Sequence, residues 1–91
     1  MKLRKLIKEL DIEKVLGSLE KEVADISYDS RQVIQDSLFI ARKGYSVDGH
    51  DYIDLAIKKG ANTIICESLP DIVVGEITYI QVKDSRMAQG L

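Results

Sequence analysis

The chain has 91 residues, of which 45% are hydrophobic and 31% charged, with a formal net charge of −2. This length supports one small domain with one core, and this composition is typical of an ordered globular protein. The acidic excess argues against a nucleic-acid-binding domain, and the apolar runs are too short to span a membrane. One cysteine excludes an intrachain disulfide and fits a reducing compartment. We therefore expect a cytoplasmic domain with neither nucleic acid nor membrane as a partner.

The N-terminal segment predicts a short amphipathic helix. Leu3, Leu6, Ile7 and Leu10 recur at the spacing of one helical face, and charged residues fill the other positions. This interleaved charge also distinguishes the segment from a secretory signal peptide. A helix lying on a membrane surface is the less favoured alternative, because the stripe contains no aromatic residue.

The following segments predict strands. Residues 23–28 show the alternation of a strand, with Ile26 and Tyr28 on one face. Residues 38–41 form a continuous apolar run, which is typical of a strand covered on both faces. Residues 63–66 form another run of this kind, and residues 78–82 predict a further strand.

A helix is predicted between the strand at 38–41 and the strand at 63–66. Asp48 is a suitable N-cap, Asp51 is a weaker form of the capping-box acid, and Gly60 supplies a left-handed C-cap. Its apolar face would consist of Tyr52, Ile53, Ala56 and Ile57. A strand, a helix and a strand in succession predict a parallel pair with a right-handed crossover. The expected fold class is therefore α/β, with a small mixed or mostly parallel sheet flanked by helices.

The triplet Asp29-Ser30-Arg31 recurs as Asp84-Ser85-Arg86, each time directly after a strand. No further similarity surrounds the two copies, so we interpret them as turn chemistry rather than an internal repeat. Residues 84–89 also have the pattern of a helix that has just begun. A helix of one turn is marginal by itself, so we expect this chain to be the front part of a larger protein.

The motifs of common catalytic and nucleotide sites are missing from this sequence. It contains no phosphate-binding loop of the G-x-x-x-x-G-K-[ST] type, no G-x-G-x-x-G, and no cluster of His and Cys for a metal. Cys66 lies in an apolar strand and is expected to be a buried small hydrophobe, with a reactive thiol, or a nucleophile pair with His50, as the alternative. His50 itself is expected to be structural rather than catalytic.

Two segments have the chemistry of a ligand site. Residues 28–31 offer a hydroxyl, free backbone groups and a guanidinium at the end of a strand. Residues 44–49 connect the end of another strand to the N-terminus of a helix. Ligands of parallel α/β sheets bind at the carboxyl ends of the strands, and helix N-termini favour anions. Both segments would equally serve as turns.

Four linked strings occur in order over roughly residues 26–88. They are D-S-R-x-V-x-x-x-x-L-F-I-A, K-G-x-x-x-D-G-H-D-Y-I-x-x-A-I-x-x-G-A, I-I-C-E and I-x-V-K-D-S-R-x-A. In these strings the chain resembles the N-terminal domain of the Mur ligases, the ATP-dependent cytoplasmic enzymes that build the peptide stem of peptidoglycan. The likeness is greatest to the branch that adds the third amino acid to UDP-MurNAc-L-Ala-D-Glu.

The resemblance implies a protein of three domains with separate roles. Residues 1–91 would form the single domain that binds the UDP end of the UDP-MurNAc-dipeptide. The ATP-binding and C-terminal domains would lie outside this chain, and ATP and Mg²⁺ would act in the full-length ligase. The chain alone would therefore be inactive, with no catalytic residue, no metal and no cofactor of its own. Its partners would be the substrate and the central ATP-binding domain.

The resemblance also assigns site residues. Ser30 matches a serine that contacts UDP, and Tyr28 takes the place of a residue near the uracil whose backbone is used. Tyr45, Ser46 and Val47 occupy the loop that lies against the nucleotide. The residues expected to support that loop are Arg31, Gly44, Asp48, Gly49 and His50.

The chain departs from the family pattern at two places. Gln35-Asp36-Ser37 stands where Pro-Gly-Asp is usual, so Asp36 would have to adopt a left-handed turn. Tyr45 stands where the family often has His or another polar residue.

Two alternative functions stay open at this point. The first is the N-terminal domain of the Mur ligase that adds D-Ala-D-Ala. The second is a free-standing, non-catalytic α/β interaction module. The sequence leaves both the third amino acid, lysine or diaminopimelate, and the oligomeric state undetermined.

Overall fold

The computed structural model describes residues 1–44 and 46–91, with every side chain among them except that of Gln89. Within this part of the chain, five strands form one sheet. They are β1 (Ile12–Leu16), β2 (Asp25–Ser27), β3 (Ser37–Ile40), β4 (Thr63–Cys66) and β5 (Thr78–Val82). The helices are α1 (Leu3–Leu6) and α2 (Ile53–Lys58), and short 3₁₀ turns occupy Ser30–Gln32, Gly49–Tyr52 and Ser85–Gly90.

The strand order is β1-β5-β4-β3-β2. Strands β2 to β5 run parallel, and β1 pairs antiparallel with β5 at the edge. The predicted α/β class with a small, mostly parallel sheet is thereby confirmed.

The strands β3 and β4 are covered on both faces, as predicted, and so is β5. Side chains of a strand point alternately to opposite faces, so each run supplies two cores. In β4, Ile64 packs into one cluster and Ile65 into the other. The first cluster lies against α2 and consists of Val33, Phe39, Ala41, Ile53, Ala56, Ala61, Ile64, Cys66, Ile77 and Tyr79. The second lies against α1 and consists of Leu3, Ile7, Val23, Leu38, Ile40, Ile65, Ile80, Val82 and Ala88.

The caps of the central helical segment follow the prediction. The Asp48 side chain accepts a hydrogen bond from the His50 amide at 3.0 Å, and a 3₁₀ turn leads into α2. Gly60 ends the segment with φ of +112°. Asp36 has φ of +64°, so the departure from Pro-Gly-Asp does produce the expected left-handed turn.

Several sequence-based expectations differ from the structure. The N-terminal helix ends at Leu6, although Leu3 and Ile7 are buried as expected. Strand β1 was not predicted, because its polar and half-buried residues show no clear period and its pairing with β5 joins distant parts of the chain.

The predicted apolar face of the helix was also wrong at Tyr52, which is 41% exposed. Tyr28 is 55% exposed, and its neighbour Ser27 in β2 is buried. Both tyrosines line a cavity described below, which is why large aromatic side chains lie outside the core. No helix in the described residues is long and apolar enough to cross a membrane.

Candidate ligand site at the carboxyl edge of the sheet

The carboxyl ends of the four parallel strands lie along one edge of the sheet. Tyr28 and Glu67 directly follow β2 and β4, and Arg42 and Asp84 lie two residues beyond the ends of β3 and β5. A cavity of about 710 Å³ opens at this edge. Its lining consists of Tyr28, Asp29, Ser30, Arg31, Phe39, Arg42, Lys43, Gly44, Val47, Gly49, Tyr52, Leu55 and Arg86. The two segments singled out in the sequence therefore meet around one space.

Of the ten site residues expected from the sequence, six line this cavity. Those that line the cavity are Tyr28, Ser30, Arg31, Gly44, Val47 and Gly49. Ser46 is exposed and is not part of the lining, while Asp48 and His50 lie behind the loop against a second, smaller cavity. Tyr45 lies outside the described residues.

Sequence reasoning missed several lining residues, above all Arg42. Its guanidinium carbon lies 4.3 Å from the centroid of the Tyr28 ring, a cation–π contact. Arg42 and Lys43 follow a buried strand directly, and two successive cations at a strand end were a signal that could have identified them. Phe39 and Leu55 gave no such signal, because their approach to the cavity depends on how α2 packs on the sheet.

The rim of the cavity is mainly cationic. Four of its lining residues are Arg or Lys, and one, Asp29, is acidic. The Arg31 side chain and amide both donate to the Asp29 carboxylate, which lowers the pKa of Asp29 to about 2. Asp29 is therefore ionised at neutral pH and partly balances Arg31. Arg42 and Lys43 still leave the rim positive, so the cavity suits an anion attached to a planar or apolar group.

The duplicated Asp-Ser-Arg triplet produces the same local structure twice. In each copy the aspartate accepts a hydrogen bond from the arginine amide at 3.0 Å and pairs with the guanidinium, at the start of a 3₁₀ turn. The interpretation as turn chemistry is confirmed.

The loop between β3 and α2 is closed by backbone contacts. The Gly49 amide donates to the Arg42 carbonyl at 2.6 Å, and the Gly44 amide donates to the Val47 carbonyl at 3.1 Å. A Cβ atom on Gly49 would lie 2.6 Å from the Arg42 nitrogen. The chain therefore requires glycine at position 49 for close approach of backbones rather than for a left-handed conformation.

Both ring nitrogens of His50 have partners. Nδ1 lies 2.7 Å from the Asp48 carboxylate, and Nε2 accepts a hydrogen bond from the Glu67 amide at 2.9 Å. Because Nε2 accepts a hydrogen bond from an amide, the hydrogen bond to Asp48 is donated by Nδ1. These bonds occupy His50 structurally, so the open alternative of a Cys66–His50 nucleophile pair is wrong.

Cys66 is fully buried, and this burial raises the pKa of its thiol to about 11. At about pH 8 only about one thiol in a thousand would be ionised, and the thiolate is the reactive form. We expect the native chain to resist an aromatic disulfide reagent and to react only after unfolding in urea. Rapid labelling of the native chain would contradict the structural role of Cys66.

Acid should destabilise the fold through Glu67. Hydrogen bonds from the Ser85 amide and hydroxyl hold the pKa of Glu67 below its ordinary value of 4.5, and the nearby His50 adds to this, whereas desolvation and Asp84 oppose it. A lowered pKa in the folded state stabilises the fold fully above about pH 4.5, and this contribution is lost as the pH falls through the lowered value.

We expect wild type to be more stable than Glu67→Gln at about pH 7, and the two to converge as the pH falls below the ordinary pKa of 4.5 and through the lowered value. Urea unfolding of both chains across this range would measure the difference, and the remaining carboxyls titrate equally in both. A difference that does not change with pH would contradict this prediction.

The fold and the cavity define a small α/β domain whose site suits an anionic ligand. Residues 22–89 match the family described as "Mur ligase family, catalytic domain". The match covers most of the chain, and the chain belongs to the Mur ligase family.

Curated relatives resemble the chain along nearly all of its length. Three of them, each named UDP-N-acetylmuramoyl-L-alanyl-D-glutamate--2,6-diaminopimelate ligase, come from Phocaeicola vulgatus, Parabacteroides distasonis and Clostridium perfringens. Their identities are 41%, 45% and 46%, over 99%, 100% and 97% of this chain. The chain spans only 18–19% of the length of these relatives.

Solved structures share the fold. A crystal structure of MurF from Acinetobacter baumannii superimposes with a TM-score of 0.70 at 26% identity, over 98% of this chain and 18% of that one. MurF ligase from Thermotoga maritima in complex with ADP gives a TM-score of 0.59 at 33% identity, over 67% of this chain and 14% of that one.

Proposed function

We propose that this chain binds the UDP moiety of UDP-MurNAc-L-Ala-D-Glu, as the N-terminal domain of a ligase that adds the third amino acid of the peptidoglycan stem peptide. The observation that carries the proposal is one cavity lined by Tyr28, Ser30 and three residues of the loop after β3, Lys43, Gly44 and Val47. Its cationic rim suits a diphosphate, and its exposed aromatic and guanidinium faces suit a planar base.

The names and sequence identities of the relatives support a ligase that adds the third amino acid over one that adds D-Ala-D-Ala. The diaminopimelate ligases cited above are 41–46% identical to this chain, whereas the MurF structures are 26% and 33% identical. By the same argument, the third amino acid would be 2,6-diaminopimelate. ATP and Mg²⁺ would act in the remainder of the ligase, in the cytoplasm, which agrees with a single reduced cysteine.

The role of this chain would be to position the substrate rather than to react with it. Contacts to the remote UDP end would hold the reacting carboxylate of the substrate in place, and such contacts contribute to catalysis through orientation.

The decisive experiment is an NMR titration of the chain with UDP, with CDP as the control. We expect amide shifts at residues 28–31 and 43–49, and smaller shifts with CDP. A folded spectrum that neither nucleotide changes at millimolar concentration would contradict UDP binding by this chain. Shifts confined to residues far from the cavity would contradict the assigned site.

Ser30 provides a sharper test. The residue is only 7% exposed, yet it lines the cavity beside Tyr28. We expect Ser30→Ala to weaken UDP binding about three- to tenfold through loss of one hydrogen bond, measured by calorimetry. Ser68→Ala, an exposed serine away from the cavity, is the matched control and should bind as wild type does. Equal affinity of all three chains would remove Ser30 from the site.

A further inference from the structure

Glu67 does not line the cavity, but its hydrogen bonds reach residues next to both ends of the loop at residues 43–48. It is the first residue after β4, and three of its groups are engaged at once. Its amide donates to His50, its carbonyl accepts from Gln81 at 3.0 Å, and its carboxylate accepts from Ser85. One residue therefore connects β4, β5, the turn at Ser85–Gly90 and the helical segment that follows the loop.

The first connection reaches the end of the loop. The Glu67 amide donates to His50 Nε2 at 2.9 Å, and His50 Nδ1 lies 2.7 Å from the Asp48 carboxylate. Asp48 in turn caps the turn that begins at Gly49. The His50 ring is mostly buried, with 16% of its side chain exposed, so these bonds are shielded from competing water.

The second connection reaches the start of the loop. The Ser85 hydroxyl donates to the Glu67 carboxylate at 2.7 Å and accepts from the Lys43 amide at 3.3 Å. The Ser85 amide donates to the same carboxylate oxygen at 2.9 Å, and Ser85 is fully buried. Lys43 and Asp48 also form an antiparallel bridge, so both connections end on the same pair of residues.

We propose that Glu67 is the positioning residue of the nucleotide loop, here residues 43–48, and that through Ser85 it couples this loop to the turn at Ser85–Gly90. The inference rests on the proposed function for the identity of the ligand. Without the Glu67 carboxylate, the Lys43 end of the loop loses its support, while the Glu67 amide still donates to His50. Because Lys43 and Asp48 form a bridge, the far end of the loop loosens with it. The loop then populates conformations that do not bind, and the apparent affinity falls by the fraction of competent molecules.

The coupling itself can be tested without a ligand. Hydrogen exchange would be measured for the Gly44 and Gly49 amides in wild type, Glu67→Ala and Glu67→Gln. We expect Glu67→Ala to raise exchange at both amides about tenfold, whereas Glu67→Gln keeps an oxygen that accepts from Ser85 and stays near wild type. Val23→Ala, a truncation in the core on the opposite face, controls for general loss of stability. Equal exchange in Glu67→Ala and Val23→Ala would overturn the proposal.

UDP affinity then separates the two proposals. We expect Glu67→Ala to weaken UDP binding about tenfold, with Glu67→Gln and Val23→Ala close to wild type. If Glu67→Ala does not fold, Ser85→Ala removes the acceptor of the Lys43 amide and should produce the same effects. If Glu67→Ala raises exchange at the loop amides but the wild-type chain binds no UDP, the proposed function is contradicted and the positioning role is retained. Wild-type UDP affinity in folded Glu67→Ala would overturn the positioning role alone.

Discussion

Gly49→Ala is expected to destabilise the fold by about 3 kcal/mol and to abolish UDP binding. The new Cβ would lie 2.6 Å from the Arg42 nitrogen and 2.9 Å from the Arg42 carbonyl oxygen. Both are backbone atoms next to β3, so they cannot move aside as a flexible side chain would. Relief therefore requires the loop to separate from the strand, which breaks the hydrogen bond from Gly49 to Arg42.

The measurement is urea unfolding together with a UDP titration. Gly75→Ala is the matched control, because its Cβ would meet no atom within 4 Å and Gly75 has no positive φ. We expect this control to change the free energy of unfolding by less than about 0.5 kcal/mol. A Gly49→Ala chain as stable as the control would show that the two backbones do not approach as described.

Phe39→Ala is the second change with a large expected effect. Phe39 is 1% exposed, lies in the cluster between the sheet and α2, and also lines the ligand cavity. Truncation of a buried phenylalanine costs about 3–5 kcal/mol through lost contacts and the space left behind. We expect a corresponding fall in the urea midpoint and, in the molecules that stay folded, weaker UDP binding.

Phe39→Leu separates the two roles of this side chain. It restores most of the apolar volume, so we expect a loss of less than about 2 kcal/mol. Differential scanning calorimetry of the three chains would rank them as wild type, Phe39→Leu and Phe39→Ala. A Phe39→Ala chain that unfolds within a few degrees of wild type would contradict the burial of this ring.

The two predictions address different parts of one site. Gly49 determines whether the loop can close onto β3, whereas Phe39 supports the floor against which a ligand would lie. Arg42 connects the loop to the cavity lining, because its carbonyl accepts a hydrogen bond from Gly49 and its guanidinium covers the Tyr28 ring. A cavity built in this way depends on backbone closure at least as much as on the side chains that face it.

Much of the architecture could be predicted because it is local. The apolar runs of β3, β4 and β5 are long enough to be recognised without knowing their neighbours, and Asp48 and Gly60 cap the segment between them by interactions within a few residues. The left-handed turn at Asp36 follows from the same short-range logic. The family resemblance directed attention to the two segments that line the cavity, although neither segment by itself differs from an ordinary turn.

What the sequence determined alone was therefore the set of strands with strong apolar runs, the caps, the turns, and the two segments with ligand chemistry. Tertiary structure alone decided that β1 joins the sheet beside β5, that Arg42 lies over the Tyr28 ring, and that Glu67 reaches His50 and Ser85. The physical reason is sequence separation. Caps and periodic patterns depend on residues within one or two turns of each other, whereas Glu67 lies 17 and 18 residues from these partners. Only the order of strands in the sheet brings such residues into contact.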